Sequence, residues 1–219
     1  MAIQSKHLVY LEKIETPYYI KQWLKDGVTI PFVSEPPPNE CENYVSCEEQ
    51  EQFIDSKLSE YLSESYISEV QEKPVCISPL GCANKKGEEK YRVITDMRYV
   101  NQYINVPKIR YEDLSDLQNI IKTHDAYASV DLKDGFNHIV IRKDFRTFFG
   151  FKWKGKFYVW NVLNFGSSIA PYLFTKILRP VVSYLRTCGV RCMLYVDDFL
   201  ILGPKETLCL TLNLWWTHC

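Results

Sequence analysis

The 219-residue sequence predicts an α+β protein in which an antiparallel sheet carries helices on one face. Three observations lead there. From Pro74 onward, short β-rich runs alternate with turn residues. One long segment, SSIAPYLFTKILRPVVSYLR (167–186), has the apolar spacing of a helix. The run FFGFKWKGKFYVW (148–160) breaks at Lys154-Gly155, the signature of a hairpin and so of antiparallel neighbours.

The elements follow in order. Tyr19 to Leu24 forms a short helix ended at Gly27. The stretch IPFVSEPPPNECENYVSCEEQEQ (30–52) joins a Pro run to acids and few aliphatics, and reads as an extended linker over the surface. FIDSKLSEYLSESYISEV (53–70) sets Phe53, Ile54, Leu58, Tyr61, Leu62 and Ile67 at three- and four-residue steps, an amphipathic helix with an acidic outer face. Residues 76–104 read as strand, turn at Lys86-Gly87, strand and a short helical stretch. AYASVDL (126–132) and HIVI (138–141) are strands. Ser167 or Ser168 is positioned to cap the long helix, with Pro171 in its first turn. RCMLYVDDFLIL (191–202) is two apolar runs split by two aspartates, and no internal repeat is visible.

A hydrophobic share of 46% supports a core and excludes a wholly disordered, collagen-like or transmembrane chain. The net charge of -1 argues against a nucleic-acid partner only as an average. Residues 1–34 carry +1, residues 35–72 carry -10 and residues 73–219 carry +8, so a basic body follows an acidic leader. The eight cysteines lack paired short spacings, and no two histidines stand near them at zinc-ligand intervals, which argues against a metal cluster. The N-terminus alternates charged with apolar residues and has no secretion core. The expected setting is intracellular, in cytoplasm or nucleus, with reduced thiols and no membrane.

Asp197 and Asp198 lie between Met193–Val196 and Phe199–Leu202, at the turn of an apolar hairpin. A solvated hairpin tip is one reading. A third acid supplies the other: Asp131 ends the strand AYASV in the same way, with a Lys-Asp-Gly turn after it. Adjacent strands delivering these carboxylates to one end of a sheet make a hard-oxygen pocket suited to paired Mg²⁺, and that pair serves in-line phosphoryl transfer.

Tyr-Val-Asp-Asp at 195–198, Ser-Val-Asp-Leu-Lys-Asp-Gly-Phe at 129–136 and KKGEEKYRVITDMRYVN at 85–101, in that spacing, resemble the palm and fingers of a reverse transcriptase. The resemblance runs from about Phe53 to Leu202. The wording of residues 157–202 is similar to the DIRS-like, tyrosine-recombinase-encoding retrotransposons, and KQWLKDGVTIPFVSEPP (21–37) resembles the segment preceding the polymerase there. The implied fold is the fingers and palm of a right-hand polymerase. Residues 1–52 form an N-terminal extension with an acidic Pro-rich linker, 53–124 a fingers-like region, 125–204 the palm and 205–219 a truncated or aberrant tail. The family continues through a thumb and usually an RNase H domain. This chain instead reads GPKETLCLTLNLWWTHC, so a truncation, frameshift or gene-model artefact with the thumb absent is expected.

Position by position, the resemblance makes Asp131, Asp197 and Asp198 the catalytic acids, holding two Mg²⁺ ions, or Mn²⁺, together with the Leu132 backbone carbonyl. Lys85 and Arg92 grip the phosphates of an incoming dNTP, and the amides of Asp134 and Gly135 face its triphosphate. Phe136 is the steric gate against a 2′-hydroxyl, and Phe165 and Gly166 pack against the templating pair. Solvated cations and a core aromatic are the plainer readings of Lys85, Arg92 and Phe136. Asn164 stands where the group usually has Pro, which should loosen the loop. Lys152, Lys154 and Lys156 interleave with aromatics, and with Arg142 and Lys143 they suit a single-stranded template, although a solvated sheet face also fits. The implied activity is DNA synthesis on an RNA or DNA template-primer within a polyprotein that also carries RNase H and recombinase domains. The alternative is a catalytically inactive remnant or a nucleic-acid-binding module lacking the thumb.

Overall fold

A computed structural model describes residues 11–84, 91–132, 134–196, 198–205 and 208, with residue 131 by its backbone alone. The chain divides into two compact units that interleave in sequence. Among the described residues, those within 22–107 and 136–170 form unit 1, and those within 11–21, 108–135 and 171–208 form unit 2. Residues 136–170, grouped by sequence order with the rest of 125–204, therefore share a unit with residues 53–107.

Helix α1 (Tyr18–Asp26) stops where Gly27 takes φ +92°, and the Gly27 N–H still bonds the Trp23 carbonyl at 3.0 Å. The acidic stretch after it is more than a linker. Strand β1 (Asn39–Glu40) pairs in parallel with β3 (Cys76–Ile77), and helix α2 (Val45–Glu49) buries Cys47 completely. Buried Ile30 and Cys47, backbone hydrogen bonds and the side-chain bonds of Asn43 and Ser46 dock a segment whose composition is polar.

The expected helix over 53–70 is two elements, helix α3 (Glu51–Ser63) and strand β2 (Ile67–Val70). Ser65 at φ +60° breaks it, and the Tyr66 N–H bonds the Tyr61 carbonyl while the Ser65 N–H bonds that of Leu62, the two bonds of a Schellman stop. Ile67 keeps its burial, but as a strand residue. Strand β4 (Leu80–Asn84) pairs antiparallel with β5 (Tyr91–Thr95), and the Lys86-Gly87 turn lies outside the described residues. Helix α4 (Arg98–Asn101) follows.

Strands β7 (Gly150–Trp153) and β8 (Lys156–Trp160) form the expected hairpin, with Lys154 at φ +47° and Gly155 at φ +75°, both central residues left-handed as a type I′ turn requires. The main sheet of unit 1 runs β1-β3-β7-β8-β2. It is mixed, with parallel β1/β3 and β3/β7 pairs, where the sequence predicted an antiparallel sheet. HIVI forms no strand: Gly135–His138 is a 3₁₀ turn, and Val140 and Ile141 make single bridges to Val162 and Val28. Its backbone bonds are shared between two partners, so no ladder grows.

Unit 2 is built on strands β6 (Ala126–Asp131), β9 (Arg191–Tyr195) and β10 (Asp198–Gly203), in the order β6-β10-β9 and all antiparallel. Helix α5 (Leu114–Ile120) begins with an Asp113/Asp116 capping box. Helix α6 (Ala170–Thr187) has Pro171 in its first turn as expected. Ser167 does not cap it through its side chain, because the hydroxyl is buried without a partner. Val182 of α6 packs with Cys192, Leu194, Phe199 and Ile201, and Ala126, Ala128 and Val130 complete the layer. These strand positions alternate, so they define one face of the sheet. At one end, Arg191 of β9 reaches across to Asp125 just before β6 with two bonds of 2.5 and 2.6 Å, spanning the central strand.

Phe199→Ala removes a ring that is 1% exposed and should cost about 3–5 kcal/mol in urea unfolding, whereas Leu200→Ala, on the other face, should cost about 1 kcal/mol.

Candidate active site

The acid hairpin belongs to unit 2. Register pairs Asp198 with Asp131 across β10/β6 and with Tyr195 across β10/β9. Positions 131, 195 and 198 all fall on the sheet face away from the α6 layer, by the two-residue period. Two carboxyl-bearing positions are therefore direct register partners at one end of the ladder. Asp198 and Tyr195 are exposed. Asp197 and Lys85 lie outside the described residues. Val196, which leads into Asp197, has φ +56°, a conformation costing a β-branched residue on the order of 1–3 kcal/mol. Strain is thus held at Val196, between Tyr195 and the Asp197 position.

After β6, the Leu132 carbonyl accepts the Gly135 N–H at 3.0 Å and keeps a second lone pair, while exposed Asp134 takes φ +53°. A side chain at Gly135 would put Cβ 2.8 Å from the Phe174 ring, so helix packing alone demands glycine there.

The remaining expected nucleotide-binding residues belong to unit 1. Phe136 is 7% exposed and lies 5.0 Å from the Phe165 ring, which is 64% exposed. A Cβ at Gly166 would fall 2.3 Å from the Thr95 carbonyl oxygen. Asn101, which sequence reasoning missed, clamps this loop: its Nδ2 donates to the Gly166 carbonyl and its Oδ1 accepts from the Ser168 N–H, both at 2.9 Å. Next to the clamp, Asn164 is buried with neither amide atom partnered. The loop expected to be loosened by Asn164 is therefore held from its other side. Arg92 is exposed opposite Ala83 and has no acid partner among the described residues.

The lysine hairpin is covered by the acidic leader. Lys152 pairs with Glu40 at 3.3 Å, Lys154 with Asp55 at 2.6 Å and also with Glu51, and Lys156 with Glu69 at 2.9 Å. The Trp153 indole N–H donates to Asp55 at 2.8 Å. Lysine hydrogen bonds hold the Asp55 and Glu40 carboxyls below their ordinary range, from Lys154 in the first case and chiefly Lys73 in the second. Arg142 pairs with Asp144 at 2.7 Å, and Lys143 is exposed. A second network, also missed, joins Tyr44, Asp96 and Arg98. The Tyr44 hydroxyl donates to Asp96 at 2.5 Å and Arg98 forks onto the same carboxylate, whose pKa it drives far below the usual range. An aspartate two residues before a short helix and a tyrosine in a polar stretch gave no periodic signal.

Aspartate positions at one end of an antiparallel sheet backed by a helix are consistent with the palm of a right-hand polymerase. Residues 83–212, more than half of the sequence, match the family described as reverse transcriptase (RNA-dependent DNA polymerase), and the chain belongs to that family. It is 27% identical over 128 residues to the Gag-Pol polyprotein of walleye dermal sarcoma virus, covering 58% of this chain and 7% of the polyprotein. It is 23% identical over 193 residues to the enzymatic polyprotein of cauliflower mosaic virus (strain Strasbourg), covering 87% of this chain and 27% of that one. Among solved structures, it resembles prototype foamy virus protease-reverse transcriptase (CSH mutant) with a TM-score of 0.69 at 19% identity, over 100% of this chain and 30% of that one. It also resembles the foamy viral protease-reverse transcriptase dRH in complex with ds DNA, with a TM-score of 0.59 at 25% identity, over 84% of this chain and 30% of that one. The chain spans less than a third of each of these proteins.

Two outcomes follow from the clamps. Asn101→Ala removes both loop bonds and should cost about 1–3 kcal/mol, with faster proteolytic nicking at 163–168 as the local readout. Asp96, with its folded pKa depressed, contributes stability that is present above about pH 4 and lost as pH falls below it. Asp96→Asn should therefore flatten the acid limb of a stability-versus-pH curve below about pH 4.

Proposed function

We propose that this chain is the fingers-and-palm portion of a DIRS-like retrotransposon reverse transcriptase, extending a primer with dNTPs on an RNA or DNA template by nucleotidyl transfer. The observation that carries this reading is the Asp131–Asp198 cross-strand pair at the end of the β6/β10 ladder, with Asp197 beside it in the sequence. Aspartates at these positions, with the Leu132 carbonyl, would offer the oxygen donors that Mg²⁺ or Mn²⁺ takes, and a bound ion pair would supply charge neutralisation and a more acidic attacking hydroxyl.

This chain's own residues do the rest. Arg92, unpaired by any acid among the described residues, together with Lys85, binds the β- and γ-phosphates. The turn at Asp134-Gly135 turns its amides toward the triphosphate. Phe136, backed by Phe165, fills the space a 2′-hydroxyl would occupy, so the product is DNA. Phe165 and Gly166, clamped by Asn101, support the templating pair. The foamy viral relative occurs in complexes with ds DNA and with RNA/DNA hybrid, which makes a template-primer the partner of choice here. Phosphates reaching Lys152, Lys154 and Lys156 compete with Glu40, Glu51, Asp55 and Glu69, so that contact contributes less than the bare lysine count suggests. RNase H and recombinase segments of the same element are the proposed neighbours in the polyprotein, and the setting is cytoplasm or nucleus.

Primer extension with Mg²⁺ and dNTPs tests the reading. Asp131→Asn and Asp197→Asn should each lower extension by about 10²–10³-fold or more. Extension that survives both changes overturns the assignment, and salt-sensitive hybrid binding without incorporation by the unaltered chain assigns it to a non-catalytic binding module. Phe136→Val should raise the ratio of ribonucleotide to deoxyribonucleotide incorporation, and an unchanged ratio removes the gate from Phe136.

A further inference from the structure

Unit 2 contains a cavity of about 620 Å³ between helix α6, strand β9 and the segment before α5. Asp198 is not among its lining residues. The walls carry Arg110, Arg179 and Arg186 against one acid, Glu112. That acid is spent. Arg186 bonds both of its oxygens at 2.7 and 2.9 Å, and the Leu194 N–H bonds one of them at 3.0 Å. Arg110 holds Asp116 through a single nitrogen at 2.8 Å.

Arg179 has no acid within ion-pair reach among the described residues. One of its nitrogens donates to the Arg110 carbonyl at 2.8 Å, which anchors the guanidinium and leaves its other donors uncommitted among the described residues. A fixed and uncompensated guanidinium is a bidentate receptor for a phosphate. A second polar group waits in the same cavity. Thr175 is 4% exposed, and its hydroxyl has no hydrogen-bond partner. A buried orphan hydroxyl is a cost to the free protein that a ligand would remove. The rest of the lining includes apolar Val182 and Leu194, and Tyr111, whose phenol burial keeps protonated. The volume falls within the range of small-molecule sites, about 300–1,000 Å³.

We propose that this cavity binds a nucleoside 5′-monophosphate, with the phosphate on Arg179 and Thr175 and the base against Tyr111, Val182 and Leu194. Leu194 of the acid hairpin forms part of its wall, but Asp198 does not line it, and binding requires no metal. It therefore holds whether or not the polymerase reading does.

Titration calorimetry on the full chain in EDTA, with deoxyadenosine 5′-monophosphate as probe, tests it. Arg179→Gln should weaken binding about 10-fold or more, and deoxyadenosine without its phosphate should bind at least that much more weakly. Thr175→Val should weaken binding about 3–10-fold while raising Tm, because the methyl replaces an unsatisfied hydroxyl of the same shape. Asp131→Asn should leave binding unchanged. Absence of binding at millimolar probe, equal affinity in the Arg179→Gln protein, or loss in Asp131→Asn each overturns the proposal. So does binding of a 5′-phosphorylated oligonucleotide without binding of the mononucleotide, which would assign the cavity to a nucleic-acid track.

Discussion

The register of β10 between β6 and β9 is the constraint on which the rest depends. A strand has a two-residue period, so a slip of one residue would turn Asp198 toward helix α6 and Phe199 toward solvent. The slip is opposed by the whole layer of Cys192, Leu194, Phe199 and Ile201 under Val182, and by the Arg191–Asp125 fork at the far end of the sheet. The apolar core and the acid pair are therefore one specification. Burying the correct face aligns positions 131 and 198, and the left-handed Val196 turn stores at their tip the strain that such a hairpin leaves.

Charge is organised by a second pairing. The -10 leader and the +8 body are separate in sequence but meet in unit 1, where Glu40, Glu51, Asp55 and Glu69 take up the three lysines of the β7/β8 hairpin. Each pair is partly exposed and individually worth little, but together they tie the leader to the sheet that Cys47 and β1 already engage. The basic surface left without acid partners is then smaller and more specific. Among the described residues it includes Arg179 in unit 2, and Arg92 and Lys143 in unit 1.

Much of this was legible in residues 126–202. Strand, Lys-Gly turn, long helix and split acidic hairpin all follow from local rules: period, turn chemistry and Pro placement. Failures clustered where long-range contacts outvoted local texture. The polar stretch 30–52 docks because Ile30, Cys47, the Asn43 and Ser46 side chains and a parallel strand pair find partners that only tertiary structure supplies. HIVI looks like a strand but divides its bonds between Val28 and Val162. The helix over 53–70 ends early because Ser65 accepts a left-handed backbone that composition does not announce.

The sequence by itself carried the family motifs and the order of the acids, because these lie in residue type and spacing, and the resemblance built on those motifs then implied the gate and phosphate-binding candidates. Only the tertiary structure decided that positions 131 and 198 are direct cross-strand partners, that Gly135 answers to Phe174 and Gly166 to Thr95, and that Asn101 holds the loop. It also decided which cations keep their charge available. Ion pairing, register and burial depend on residues distant in the chain, and a linear pattern has no term for distance.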